Sequence, residues 1–246
     1  MARINFKELF LKKWALLFSV IFLISATNSD EGIVRKELEA IAASMVSKEA
    51  YSCVITTRMF EKTGGESIHT EMVSLKKKNL WFNSFSPKVI SIRNSKYQIS
   101  VLHDTKTVVF QKVVYGKNSL NKGIEQDMLS FFQNVSQCSA KQLDSEFSLL
   151  SLNYKMGQFK KLEIKYFSKS KVIARMRFFP KPESFDDAGN GPIGGKPFAY
   201  FDIEYSAFDF KTLLTEKDFS ISDIVSIEGS NVFLTKKYSN YRLLVH

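Results

Sequence analysis

The chain predicts an α+β fold in which a curved antiparallel sheet is covered by two or more amphipathic helices. Three observations carry this. Between Glu66 and Val114 the sequence is a series of short apolar or alternating runs, broken at Lys76-Lys77-Lys78-Asn79, Ser86-Pro87, Asn94-Ser95-Lys96 and His103-Asp104-Thr105-Lys106. Short strands with polar turns of this kind form a meander. Two other stretches, Ser29–Ser47 and Ile124–Val135, repeat their apolar residues at helical spacing instead. The 246 residues contain no tandem repeat and no low-complexity linker, so one domain is expected.

The N-terminus has its own signature. Arg3, Lys7, Lys12 and Lys13 precede an apolar run, Trp14 to Ala26, that closes on the small residues Ser25 and Ala26. A basic start, a short apolar core and a small-residue end describe a secretory leader. The run is shorter than the roughly 20 apolar residues of a membrane-spanning helix. Cleavage after Ala26 would divide the chain into a leader, 1–26, and one domain, 27–246, in the periplasm. The alternative is an uncleaved leader that anchors the protein to the inner membrane. No cysteine follows the apolar core, which argues against a lipid-modified lipoprotein.

In the first helical stretch Ser29 or Asp30 can cap, Asp30 and Glu31 favour the positive end, and Val34, Leu38, Ile41 and Met45 form a stripe for a sheet. Tyr51–Phe60 (YSCVITTRMF) is a strand by its β-branched and aromatic content. Gly64-Gly65 turns the chain into the meander. Within it, Tyr97, Ile99 and Val101 share one face and Gln98 and Ser100 the other. The second helical stripe, Ile124, Met128, Phe131, Phe132 and Val135, is wide and aromatic. Gln142–Tyr154 fits helix and strand equally. Phe159–Phe167 and Val172–Phe179 form a hairpin about Ser168–Lys171, and Ala199–Phe208, Phe219–Ile227, Val232–Leu234 and Tyr241–Val245 are strand-like. Pro180–Pro197 is one long break. Its glycines lack the Gly-Lys-Ser/Thr ending of a phosphate loop, and its acids Asp186 and Asp187 read as solvated.

Function classes narrow accordingly. No nucleophile elbow, HExxH or comparable set appears, so no catalytic residue, metal ligand or cofactor is assigned. The net charge of +10 is spread over turns and polar strand sides, which suits solvated lysines or an anionic membrane surface better than nucleic acid. Export permits a disulfide between the two cysteines, Cys53 and Cys138, with separate buried thiols as the alternative.

The order of leader, amphipathic helix, YSCVITTRMF strand, the meander VSLKKKNLWFNSFSPKVISIRNSKYQISVLHDTKTVVFQKV, internal helix and further hairpins resembles the periplasmic LolA-like family of outer-membrane lipoprotein carriers. The resemblance spans about Ile33 to Val245. It implies a half-barrel around lid helices with an apolar cavity for acyl chains, and an early-strand arginine that holds the lid, a role that falls to Arg58. The expected ligand is a lipid or an acylated lipoprotein, carried by a monomer that also meets envelope membrane proteins. The competing role is an accessory subunit of an envelope assembly that transports nothing. With 22 Phe and 9 Tyr the chain has ample aromatic lining, although such side chains also fill ordinary cores. The expected cavity pairs Met128, Phe131 and Phe132, as lid, with Trp81, Phe82, Ile99 and Val101 on the sheet. Trp81 and Phe82 are sequence neighbours in a strand, so at most one of them lines it.

Overall fold

A computed structural model of the chain describes residues 30–45, 47–61, 63–113, 131–132, 134–181 and 198–246. The leader, Met128 with the rest of 114–130, and most of the Pro180–Pro197 break lie outside the described residues. A helix, α1, covers residues 30–45. The strands are β1 (Ala50–Phe60), β2 (Ser67–Lys78), β3 (Trp81–Phe85), β4 (Val89–Arg93), β5 (Tyr97–Leu102), β6 (Thr107–Lys112), β7 (Val135–Gln142), β8 (Phe147–Tyr154), β9 (Phe159–Phe167), β10 (Ile173–Pro180), β11 (Tyr200–Asp209), β12 (Val225–Glu228), β13 (Asn231–Leu234) and β14 (Arg242–Val245).

Twelve strands form one open, curved sheet in the order β14-β6-β5-β4-β3-β2-β1-β11-β10-β9-β8-β7, and β12 and β13 form a separate hairpin. The main sheet is antiparallel except at one edge, where the C-terminal strand β14 runs parallel to β6. Asn79 makes the tight β2–β3 turn in the left-handed region (φ 52), which Asn tolerates better than most residues. The ambiguous stretch Gln142–Tyr154 resolves as the last residue of β7, a turn and strand β8.

Among the described residues there is one helix. The expected second helix, Ile124–Val135, falls mostly outside the described residues; at its described end Phe131 and Phe132 lie in a turn, and Val135 pairs with Tyr154 as the first residue of β7. Asn134 takes φ 63, which ends any helical run before Val135. Phe219–Ile227 is not one strand. It begins at the end of a 3-10 turn, Glu216–Phe219, and joins β12 only at Val225.

The register decides where the cores lie, because directly paired residues project from the same side of a sheet. Ile164 pairs with Met176, Met176 with Ile203, Ile203 with Thr57 and Thr57 with Glu71. On that side α1 buries Val34, Leu38, Ile41 and Ala42 against Leu150, Leu152, Leu162, Ile164 and Met176 of β8–β10. This is the helix face. Two residues along β2 from Val73, Leu75 pairs with Ser84, Ser84 with Ser91 and Ser91 with Ser100, so the helix face of the meander carries a row of serines. The meander's apolar residues point the other way: Asn83 pairs with Ile92, Ile92 with Ile99 and Ile99 with Phe110. That far face is covered by the C-terminal segment, through Leu214, Phe219, Ile221, Ile224, Val225 and Tyr238.

The sheet thus has two cores on opposite faces. Each fully buried Val, Leu, Ile or Phe contributes about 1.5–3 kcal/mol. Polar ties anchor the C-terminal segment as well. Lys76 Nζ meets Asp218 Oδ1 at 2.8 Å, Lys78 Nζ donates to the Leu214 carbonyl at 2.8 Å, and Asn83 Nδ2 donates to the Asp218 carbonyl at 2.7 Å. Nearer the middle of the far face, Arg177 donates twice to the buried Asp202 carboxylate, both at 2.7 Å.

Candidate functional site

Between the two cores, the helix face crosses β1, β2, β3 and β11. The register places Tyr51 beside Lys77, Cys53 beside Leu75, and Ile55 between Val73 and Tyr205. Lys77 in turn pairs with Phe82. Tyr51 and Cys53 are buried, whereas Ile55, Val73, Leu75, Lys77 and Phe82 are half-buried. On β2 the alternation is complete: the helix-face residues from His69 to Lys77 are half-buried and the far-face residues from Thr70 to Lys76 are exposed. The result is an apolar strip, polar at the end where Thr57, Glu71 and His69 stand and cationic at the other.

At the cationic end a bulge shapes the site. The β1–β11 register slips between Ser52 and Val54, and Ala207 takes φ 51. A bulge re-aims the side chains beyond it. Phe208 and Phe210 then stack at 5.3 Å between centroids and lie 6.1 and 6.0 Å from the Tyr51 ring. Tyr205 stacks on Phe208 at 6.4 Å. Lys77 Nζ stands 5.5 Å from the Tyr51 centroid and Lys48 Nζ 5.2 Å from that of Phe210. Burial pushes the Cys53 thiol up to about 11 and the Tyr205 phenol up to about 12, raises Tyr51 as well, and lowers the Lys77 ammonium. The thiol and phenols are therefore neutral at physiological pH. A thiol held protonated is a poor nucleophile. The strip offers apolar surface and positive charge.

The expected cavity residues are not brought together. Ile99 and Val101 are fully buried on the far face, and Trp81 is there too, its ring 5.7 Å from Phe219. Phe131 and Phe132 pack instead on the α1 core, with the Arg35 guanidinium 5.4 Å from the Phe132 centroid. They do not face Ile99 and Val101, because the meander turns its apolar side away from the helix. Met128 lies outside the described residues. Of the four sheet residues expected to line the cavity, Phe82 alone stands on the helix face. Arg58 is on the far face, in an ion pair with Glu204 at 2.5 Å, so it does not point toward a lid on the helix side.

Cys53 and Cys138 are both free thiols. Strands β11, β10, β9 and β8 separate β1 from β7, a path of about 24 Å along the sheet at the usual strand spacing. Bonding needs Cα atoms within roughly 7 Å, and strands this far apart do not bring them so close.

Sequence reasoning passed over Tyr51, Lys77, Phe208 and Phe210, and the whole C-terminal cover. The signal for Lys77 was present: in an alternating strand the middle lysine of a triplet faces opposite to its neighbours. Three clefts lie away from the strip. One of about 630 Å³ and one of about 410 Å³ flank the Phe219–Ser222 segment on the far face, and one of about 490 Å³ opens at the start of α1 beside Asp30, Phe132 and Cys138.

Solved structures of low sequence identity are similar to the chain. A LolA superfamily protein from Nitrosomonas europaea matches at 11% identity and a TM-score of 0.34, over 76% of this chain and 97% of that one. LprF from Mycobacterium bovis matches at 11% identity and 0.33, over 75% and 96%. An uncharacterized conserved protein from Thermus thermophilus matches at 9% identity and 0.48, over 86% and 98%. No family model and no curated protein matches the sequence.

Proposed function

We propose that this is an exported, non-catalytic binder of an apolar, acyl-type ligand, seated on the helix face across β1, β2 and β3. One observation carries the reading: Ile55, Val73, Leu75 and Phe82 form a half-buried apolar strip that neither α1 nor the C-terminal segment fills among the described residues. Apolar concave surfaces with a few polar groups are what small apolar ligands use. The leader-like N-terminus supports export, and burial keeps the Cys53 thiol and the Tyr205 phenol protonated.

The test is lipid analysis of the protein purified with its own N-terminus from the envelope of its native cells. Co-purifying acyl lipid or lipoprotein, absent from a folded Leu75→Asp variant, is the expected result. A folded parent protein that retains no lipid but holds a stable envelope complex would replace the carrier reading with the accessory-subunit one.

A further inference from the structure

The charge at one end of the strip specifies more about the ligand, given the apolar-ligand reading on which this rests. Lys76, Lys77 and Lys78 are consecutive on β2, so their side chains alternate between faces. The two on the far face are engaged: Lys76 in an ion pair with Asp218, and Lys78 in a hydrogen bond to the Leu214 carbonyl. Lys77, on the helix face, has neither an ion pair nor a hydrogen bond among the described residues; its ammonium rests 5.5 Å from the Tyr51 ring centre. The second cation, Lys48, likewise rests on an aromatic ring, that of Phe210, with no ion pair among the described residues. On the helix face of β2 the acid in line with Lys77 is Glu71, six residues away and so about 20 Å along the strand. Glu49, beside Lys48 in sequence, makes no ion pair with either lysine among the described residues.

A half-buried ammonium among rings is poorly solvated, and an anion brought to it would be attracted more strongly than in open water. We infer that the ligand is an anionic acyl amphiphile whose single negative charge, a carboxylate, is held by Lys77 with Lys48 beside it while its chain lies along Ile55, Val73, Leu75 and Phe82. A point-charge ammonium suits a monoanion. A doubly charged phosphate monoester is better matched by a guanidinium fork; the guanidinium nearby on this face, that of Arg93, stands beyond Phe82, two strands from Lys77, and already has a partner.

The experiment uses the chain from Thr27 onward and displacement of the neutral fluorophore N-phenyl-1-naphthylamine by oleate, oleyl alcohol or 1-oleoyl lysophosphatidate. Oleate should displace the probe at about ten- to a hundredfold lower concentration than the alcohol, the range expected for a hydrogen bond to a charged group. Lys77→Met should erase that advantage and leave displacement by the alcohol unchanged, which also shows that the variant is folded; Lys77→Arg should retain it. Equal displacement by oleate and oleyl alcohol in the parent protein would overturn the inference and leave the apolar reading standing. So would an oleate advantage that survives in the Lys77→Met/Lys48→Met double variant. Tighter binding of lysophosphatidate than of oleate would overturn the carboxylate assignment. Failure of all three to bind would remove the apolar reading and this inference together.

Discussion

If the two cores lie on opposite faces of one sheet, damage to one should be felt independently of damage to the other. Leu38 on α1 and Ile99 on β5 are both fully buried, in separate clusters. Leu38→Ala should cost about 2–5 kcal/mol and Ile99→Val about 0.5–1.5 kcal/mol. For sites that share no partner the double variant should equal the sum to within about 0.5 kcal/mol. A control cycle within one core should behave differently. Trp81→Leu and Phe219→Leu each remove one ring of an edge-on pair at 5.7 Å, and such pairs are worth about 0.5–1.5 kcal/mol beyond buried area. Urea unfolding followed by far-ultraviolet circular dichroism, with equal slopes across the set, gives all the values. A coupling above about 1 kcal/mol between Leu38 and Ile99 would mean that the helix and the meander's apolar side share a core, and the two-faced arrangement would be wrong.

Other expectations concern charge and thiols. Asp202→Asn leaves the Arg177 guanidinium without its carboxylate in a site where Asp202 is 1% exposed; it should cost about 3–5 kcal/mol in urea unfolding, and Asp202→Asn/Arg177→Met should recover part of that. Hydrogen bonds from Lys76, then from Thr215, hold the Asp218 carboxyl down at about 2, below its usual 3.8. Its stabilising contribution is therefore complete above about pH 4 and lost as pH falls through about 2, and Asp218→Asn should flatten that part of the stability–pH curve by about 1 kcal/mol, given its solvent contact. Protein from its native compartment should titrate two free thiols when denatured without reductant, and in the native state the half-buried Cys138 should react before the buried Cys53; a single blocked pair would refute the strand order.

Local pattern was legible and relative placement was not. The α1 stripe, the β1 strand and the whole meander follow from spacing and turn residues, because period two and period 3.6 are set by neighbours in sequence. The face a strand shows to a distant element is set otherwise. Ile99 alternates with Ser100 in the same way whichever side α1 occupies, and only the register carried through nine strands, from β8 to β5, puts Ser100 on the helix side. The C-terminal cover was hidden for a related reason. Phe219, Ile221 and Val225 have strand-like composition, but a 3-10 turn and a bend place them on a face whose own apolar residues were already assigned to a lid. Between the disulfide and the two separate thiols that sequence left open, topology favours the thiols, since β7 is the opposite edge of the sheet from the meander's edge and lies five strand spacings from β1. At the site, alternation separates Phe82 from Trp81 but does not say which of the two meets the helix side. Tyr51 and Phe208 meet only because of the bulge at Ala207, which no turn residue announces.

The side of the sheet on which the ligand lies can be read directly, because Trp81 and Phe82 are adjacent and point to opposite faces. From Thr27 onward Trp81 is the single tryptophan. Bromine on an acyl chain quenches a tryptophan it touches, so 9,10-dibromostearate reports which face it occupies. A Trp81→Phe/Phe82→Trp variant should be strongly quenched on binding, while Trp81 in the parent protein, packed on Phe219, should keep its emission. Quenching of Trp81 with Phe82→Trp unaffected would put the acyl chain on the far face and contradict the account.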